Sequence, residues 1–188
     1  MVKIIVAIVL TLSAIGGGTV YAAQASLPGD ALYPVKLGTE QVAMMLPGDN
    51  LARAERGLEL ANRRVEELEA LAEEGRMEYL ERARERYEHA LNMTLARMEQ
   101  ATDQALAAGN VTARVAEATW RHMEVLARVY EEVPEQAKPA IARAMEVSQR
   151  GHAAALGALE RVRLHRSQEP GPPEGVTPGP PEGVPAGP

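Results

Sequence analysis

Between residues 49 and 165 the chain repeats one pattern four times: apolar side chains return at helical spacing, with glutamate and arginine between them. In 49–74, Leu51, Leu58, Val65 and Ala72 hold one heptad position and Ala54, Ala61 and Leu68 the other. In 77–108 the stripe is Leu80, Tyr87, Leu91, Met98 and Ala105, and in 139–165 it is Ile141, Met145, Ser148, His152, Leu156, Leu159 and Val162. The stretch 111–133 is wider. Val111, Val115, Ala118, Val125, Leu126, Val129 and Val133 form one side of its arc. Ala116, Trp120, Met123, Ala127 and Tyr130 extend it past half the circumference, so this segment is expected to be the most buried helix. Gly75, Gly109-Asn110 and Pro134 punctuate the segments, with Asn110 expected to cap the fourth one, and Pro139 suits a first helical turn. With no Phe, one Trp and five Tyr, the core has to be built from Ala, Leu, Val and Met, mostly strong helix formers. The fold class is therefore all-α: an antiparallel helical bundle of four long helices plus a short N-terminal helix. A more open, possibly dimeric pair of hairpins is the alternative, and it would use Leu60 and Leu71, which lie off the main stripe.

The start of the bundle is marked by LPGD, present at 27–30 and again at 46–49. Pro then Gly suits a type II turn, and the following Asp suits a helix N-cap, so each copy predicts a turn and a helix start. Between them, Val35, Val42 and Met45 face one way and Tyr33, Leu37 and Met44 the other, which predicts a short helix wedged between neighbours. Before residue 27, a basic start at Lys3, an apolar run at 4–15 and small residues up to Ala23-Gln24-Ala25 have the layout of a secretory signal. Left uncleaved, 4–23 is long enough to span a membrane. Both readings place the rest of the chain outside the cytoplasm. The organisation is thus 1–25 signal peptide or anchor, 27–167 helical domain, and 168–188 a disordered tail in which PGPPEGV occurs twice.

Without Lys3 the chain carries 19 basic and 26 acidic residues, a net of −7. That balance excludes a nucleic-acid partner, which needs a basic face, and leaves the membrane as a partner only through 4–23. The absence of cysteine excludes disulfides, thiol catalysis and thiolate metal sites. Neither HExxH nor a paired Glu-x-x-His is present, and no credible Ser-His-Asp set can be assembled, so no enzyme activity and no cofactor are expected. His122 and His152 lie on apolar faces flanking the Pro134 turn, in nearby layers, with Met123, Met145, Thr119 and Ser148 close in the same count. They read either as a His/Met site for a soft cation such as copper(I) or as core histidines satisfied by Ser148, Thr119 or a carbonyl. Spacing looser than ordinary metal sites favours the second. Trp120 reads as a cap on the core or as an anchor for a partner.

The start LPGDALYPVK, with Leu58-Glu59-Leu60-Ala61-Asn62-Arg63-Arg64-Val65-Glu66-Glu67 and the 133–139 turn VPEQAKP, resembles an uncharacterised bacterial family of extracytoplasmic helical domains. Some of its members are attached to anti-sigma-factor-like proteins. The resemblance implies a helical extracytoplasmic module, in a sensory setting, and carries no activity. No cytoplasmic region of the anti-sigma kind is expected in this chain, which counts against direct signalling. The leading expectation is a non-enzymatic domain that binds a protein partner, self-associates or senses envelope conditions. A small periplasmic chaperone, a copper-type metal bundle and a purely structural module are the alternatives.

Overall fold

The structure, a computed structural model, describes residues 23–101 and 105–168. The export segment up to residue 22 and the Pro/Gly repeats from residue 169 lie outside the described residues. Five helices follow in order: α1 Tyr33–Met45, α2 Asn50–Glu73, α3 Leu80–Gln100, α4 Ala105–Glu132 and α5 Lys138–Gln168, with a 3₁₀ turn at Met77–Tyr79. The described residues contain no strand. None of their helices is long and apolar enough to cross a membrane.

Local chemistry sets most of the boundaries. Asp49 caps α2, its Oδ1 accepting from the Ala52 N–H at 2.8 Å. At the other end Gly75 takes φ +70°, while the Arg76 and Gly75 N–H groups donate back to the Leu71 and Ala72 carbonyls, a Schellman closure. The two LPGD copies are not equivalent. In the first, Gly29 adopts φ +99°. Asp30 there does not cap α1: its Oδ2 accepts from the Leu27 N–H at 2.7 Å and closes the turn on itself. The first turn of α1 is instead preset by Pro34. In the second copy Gly48 needs no positive φ, and the cap is the functional part.

The boundary expected at Gly109-Asn110 is displaced. Helix α3 closes at Ala101, whose N–H donates to Met98 O at 3.2 Å, and both Gly109 and Asn110 lie inside α4. A helical glycine costs about 1 kcal/mol relative to alanine, which a helix packed over 28 residues tolerates. A Cβ at Gly109 would meet Val162 Cγ1 at 3.4 Å, an ordinary van der Waals contact, so the position faces α5 without requiring glycine. Ala105, read as the end of the α3 stripe, belongs to α4.

Helices α2 and α3 form one antiparallel hairpin, α4 and α5 a second. The two hairpins lie side by side with a constant register. Pairs from α2 to α4 (Glu55–Arg114, Asn62–His122, Glu69–Arg128) are 59 or 60 residues apart. Pairs from α3 to α5 (Tyr87–Ser148, Glu81–Arg143) are 61 or 62 apart. A fixed difference means that α2 runs parallel to α4 and α3 parallel to α5. Consecutive helices α3 and α4 therefore stand on a diagonal, and adjacency in sequence is not adjacency in space.

All four long helices share the interior, which divides into two apolar clusters. One holds Leu68, Leu71, Leu80, Leu126, Val129 and Ile141, the other Leu51, Leu58, Met98, Val111, Val115 and Ala155. Between them lies a belt of fully buried hydroxyls: Thr94 and Thr119 each donate to the carbonyl four residues earlier in their own helix, and Ser148 lies beside Tyr87.

Several expected faces need correction. Leu71 is fully buried in the first cluster, so it belongs to the core and to no partner surface. Helix α4 buries Val115, Ala116, Leu126 and Val129 but leaves Trp120 50% exposed, Ala127 exposed, and Met123 and Tyr130 half-buried; it is no more buried than α2. On α5 the inner face is Ile141, Ala144, Ser148, Gly151 and Ala155, while Leu156 is 49% exposed. Small residues there bring backbones close: a Cβ at Gly151 would meet Leu91 Cδ2 at 2.9 Å and Thr119 Cγ2 at 3.2 Å. Helix α1 is not wedged either. Its buried residues are Tyr33, Lys36 and Glu40, and Met45 is 57% exposed.

Gly57 and Gly38 separate packing from helix propensity. A Cβ at Gly57 meets Thr94 Oγ1 at 2.6 Å, whereas one at Gly38 meets nothing within 4 Å. Gly57→Ala is expected to lower stability by about 1–3 kcal/mol through overpacking. Gly38→Ala should raise it by about 0.5–1 kcal/mol. Denaturant midpoints of opposite sign in the two variants check this.

Candidate functional site

Two polar constructions stand out from the apolar bundle. The first attaches α1 to α2. Lys36 Nζ lies 2.6 Å from Glu67 Oε1, and Arg64 bridges Glu67 to Glu40 through both of its terminal nitrogens. The Tyr33 hydroxyl donates to Glu67 Oε2 at 3.0 Å, and Lys36 Nζ also donates to the Ser26 carbonyl at 3.1 Å. Two cations face two anions, so the cluster is neutral, and all four side chains are 6% exposed or less. Burial, with the negative charge of Glu67 next in weight, pushes the Tyr33 hydroxyl up to about 12 and keeps it a donor. One atom stays short of a partner: Glu40 Oε1 accepts no hydrogen bond among the described residues and has Arg63 Nη1 at 3.7 Å.

The turn ahead of α1 is held by the same means. Arg76, just past α2, donates to the Pro28 carbonyl at 2.6 Å and pairs with Asp30 at 2.9 Å. Gly29 passes so close to Tyr79 and Arg76 that a Cβ would collide with both. The start motif thereby gains a physical account. Leu27 enters the core, Gly29 clears Tyr79, Asp30 closes the turn, and Tyr33 and Lys36 reach Glu67.

The second construction is a groove of about 650 Å³ bounded by α1, α2 and α3. Leu37, Met44, Leu60 and Met93 supply its apolar surface, and Arg53, Arg64, Arg86, Arg97 and His89 its basic side, against Glu40 and Glu85. Its volume falls in the ordinary range of binding sites. Among the described residues, Arg53, Arg86 and Arg97 lie beside no carboxylate at ion-pair distance. Arg86 stacks over the Tyr33 ring at 5.2 Å, and Arg97 donates to Gln100 Oε1 at 2.9 Å. Elsewhere arginines are commonly paired with glutamates, as at Arg84, Arg114, Arg128 and Arg143. In a chain of net charge −6 this is a local reversal of sign.

The two core histidines sit one turn apart, each with partners from the protein. His122 Nε2 donates to Asn62 Oδ1 at 2.8 Å, and its Nδ1 accepts from the Tyr87 hydroxyl at 3.1 Å. Ser148 Oγ lies 2.6 Å from the Tyr87 oxygen, and these roles satisfy every atom with a neutral ring. Burial, helped by the nearby Arg121 charge, lowers the His122 pKa to about 4. His152 Nδ1 donates to the Ala116 carbonyl at 2.9 Å, with Thr119 Oγ1 at 3.4 Å. Thr119 and Ser148, picked out from sequence, are thus both in these networks. Met123 and Met145 are half-buried, and Met145 packs on the apolar cluster. No group of three or more His, Cys, Asp or Glu side chains placed to hold a metal ion occurs among the described residues. Trp120 is exposed on α4, and Leu60 is the one sequence-picked partner residue that lines the groove.

The buried charges and the groove arginines escaped the sequence reading. Arg64 and Glu67 looked like part of a solvated charge run, although they fall between the buried positions Ala61, Val65 and Leu68. The usable signal was on α1, where Tyr33, Lys36 and Glu40 share one helical face and meet that run.

A short polar-faced helix tied to a two-hairpin bundle, with a basic apolar groove beside it, defines an all-α helical-bundle domain. Residues 25–136 match the family described as a domain of unknown function (DUF5667). That is more than half of the chain, which therefore belongs to this family. The match ends in the turn before α5, although α5 completes the core with Ile141, Ala144 and Ser148. No curated protein and no solved structure matches.

Removing one charge from the buried cluster leaves another uncompensated, a cost of about 3 kcal/mol. Glu67→Gln is expected to release α1, cutting amide-exchange protection over Tyr33–Met45 by about 100-fold while Leu126 and Val129 stay protected. For His122, the folded pKa lies below the ordinary value of 6.5. The unfolded chain thus binds the proton more tightly, and the stabilising contribution, complete above pH 6.5, is lost as pH falls toward 4. The wild type should lose about 3 kcal/mol more than His122→Gln between pH 7 and pH 4, read from urea midpoints.

Proposed function

We propose that this chain is a non-enzymatic helical module that binds a protein partner outside the cytoplasm, with the α1–α2–α3 groove as its contact surface. One observation carries the reading: the groove combines an apolar floor with three arginines, Arg53, Arg86 and Arg97, that have no carboxylate at ion-pair distance among the described residues, in a chain of net charge −6. Such a surface is suited to recognition, because apolar contact supplies affinity and fixed charge supplies selectivity. The apolar stretch at 4–15 supports the compartment, as does the likeness of LPGDALYPVK to extracytoplasmic domains that accompany anti-sigma-factor-like proteins. Helix α1 supports a sensory role. It forms one wall of the groove and is held by charges and hydrogen bonds rather than by its own apolar residues.

A photoreactive residue placed at Leu60 or Met93 in envelope-expressed protein is expected to crosslink a discrete partner. The same residue at Trp120 should give little of that product, and Arg86→Glu/Arg97→Glu should abolish it. Crosslinking that is strongest at Trp120, or unaffected by the double variant, would move the contact surface away from the groove.

A further inference from the structure

Resting on that reading, we infer that the groove's occupant is an acidic amphipathic helix of the partner, received as an added helix against α1, α2 and α3. The lining residues lie on single helical faces: Leu37, Gln41 and Met44 on α1, and Arg86, His89, Met93 and Arg97 on α3. Leu60 on α2 completes the floor. From Arg86 to Arg97, eleven residues at 1.5 Å each give a length of about 16 Å, or three helical turns. A three-turn helix about 10 Å across occupies roughly 1,250 Å³. The groove's volume of about 650 Å³ leaves room for the side chains on one face of such a helix.

The distribution of charge chooses the ligand. Gly57 meets Thr94, so α2 and α3 pair antiparallel and Arg53 stands beside Arg97 at one end. Arg64 and Arg86 stand at the other end, and Arg64 is consumed by Glu40 and Glu67. Among the described residues, arginines with no carboxylate at ion-pair distance therefore occur at both ends, Arg53 and Arg97 at one and Arg86 at the other, about 16 Å apart along the helix axis. A single-headed anionic amphiphile can satisfy only one end. A helix carrying Glu or Asp at positions three turns apart, with Leu or Met between them, satisfies both and covers Leu60 and Met93. Glu85 and Glu40 add selectivity, since they would repel carboxylates placed off register.

The test is a selection of helix-forming peptides from a randomised display library on the full chain in zwitterionic nanodiscs, followed by fluorescence anisotropy. Enriched peptides are expected to be acidic with apolar residues at helical spacing. Their binding should weaken at least tenfold in Arg53→Glu/Arg97→Glu and in Arg86→Glu, and be regained when the matching peptide carboxylates are changed to lysine. Arg128→Glu, on the α2–α4 seam, should leave binding unchanged. Basic or uncharged peptides, equal binding by the groove variants, or displacement by laurate at equal affinity would each overturn the inference. The crosslinking from Leu60 described above would persist in those cases if a partner of different chemistry uses the groove, so the two failures are separable.

Discussion

The neutral cluster of Lys36, Glu40, Arg64 and Glu67 is the constraint on which the N-terminal third depends. Buried ions lose hydration, and only close pairing and hydrogen bonds offset that loss. Here the requirement fixes α1 in position and direction, since Tyr33 and Lys36 meet Glu67 while Glu40, further along α1, meets the earlier Arg64, which only an antiparallel α1 and α2 allow. Apolar contact alone would leave a 13-residue helix free to slide. Because the cluster sets where α1 lies, it also sets the width of the groove that α1 walls.

The bundle itself rests on a different principle. Helices α2 to α5 interlock through large residues in two clusters and through glycines where backbones approach. The hydroxyl belt between the clusters gives the stack a register that apolar packing does not provide. Tyr87 contacts both His122 and Ser148, one from each helix of the second hairpin, so a slip of either hairpin by one residue breaks that chain.

Much of this was legible in the sequence. The stripes of α2 and α3 name their buried residues well because leucine and alanine at heptad spacing admit few other arrangements. Gly75, Pro34 and Asp49 act as local chemistry dictates. What periodicity could not convey was relative placement. Nothing in 77–133 says that α3 and α4 occupy a diagonal, and the break at Ala101 has no proline or glycine to announce it. The stripe of α5 found Ile141 and Ser148 but missed Ala144, Gly151 and Ala155 and included the exposed Leu156, because alanine and glycine score weakly against leucine, though close approach favours the small residues. The candidate site was hidden for an electrostatic reason. A charge run reads as solvated unless its partner helix is known, and the partners here are 24 to 31 residues away in sequence.

The path of the backbone has a mechanical consequence. Ser26 to Asp30 lie beside Arg76 and Tyr79, at the end of the bundle that holds both hairpin turns, while α5 runs toward the opposite end and finishes there at Gln168. The fold thus separates whatever precedes Ala23 from whatever follows Gln168 by roughly the length of α5, about 46 Å. Tension between those two points acts along the α1–α2 seam in shear. Shear loads the Arg76 tether and the buried cluster together rather than peeling them one contact at a time.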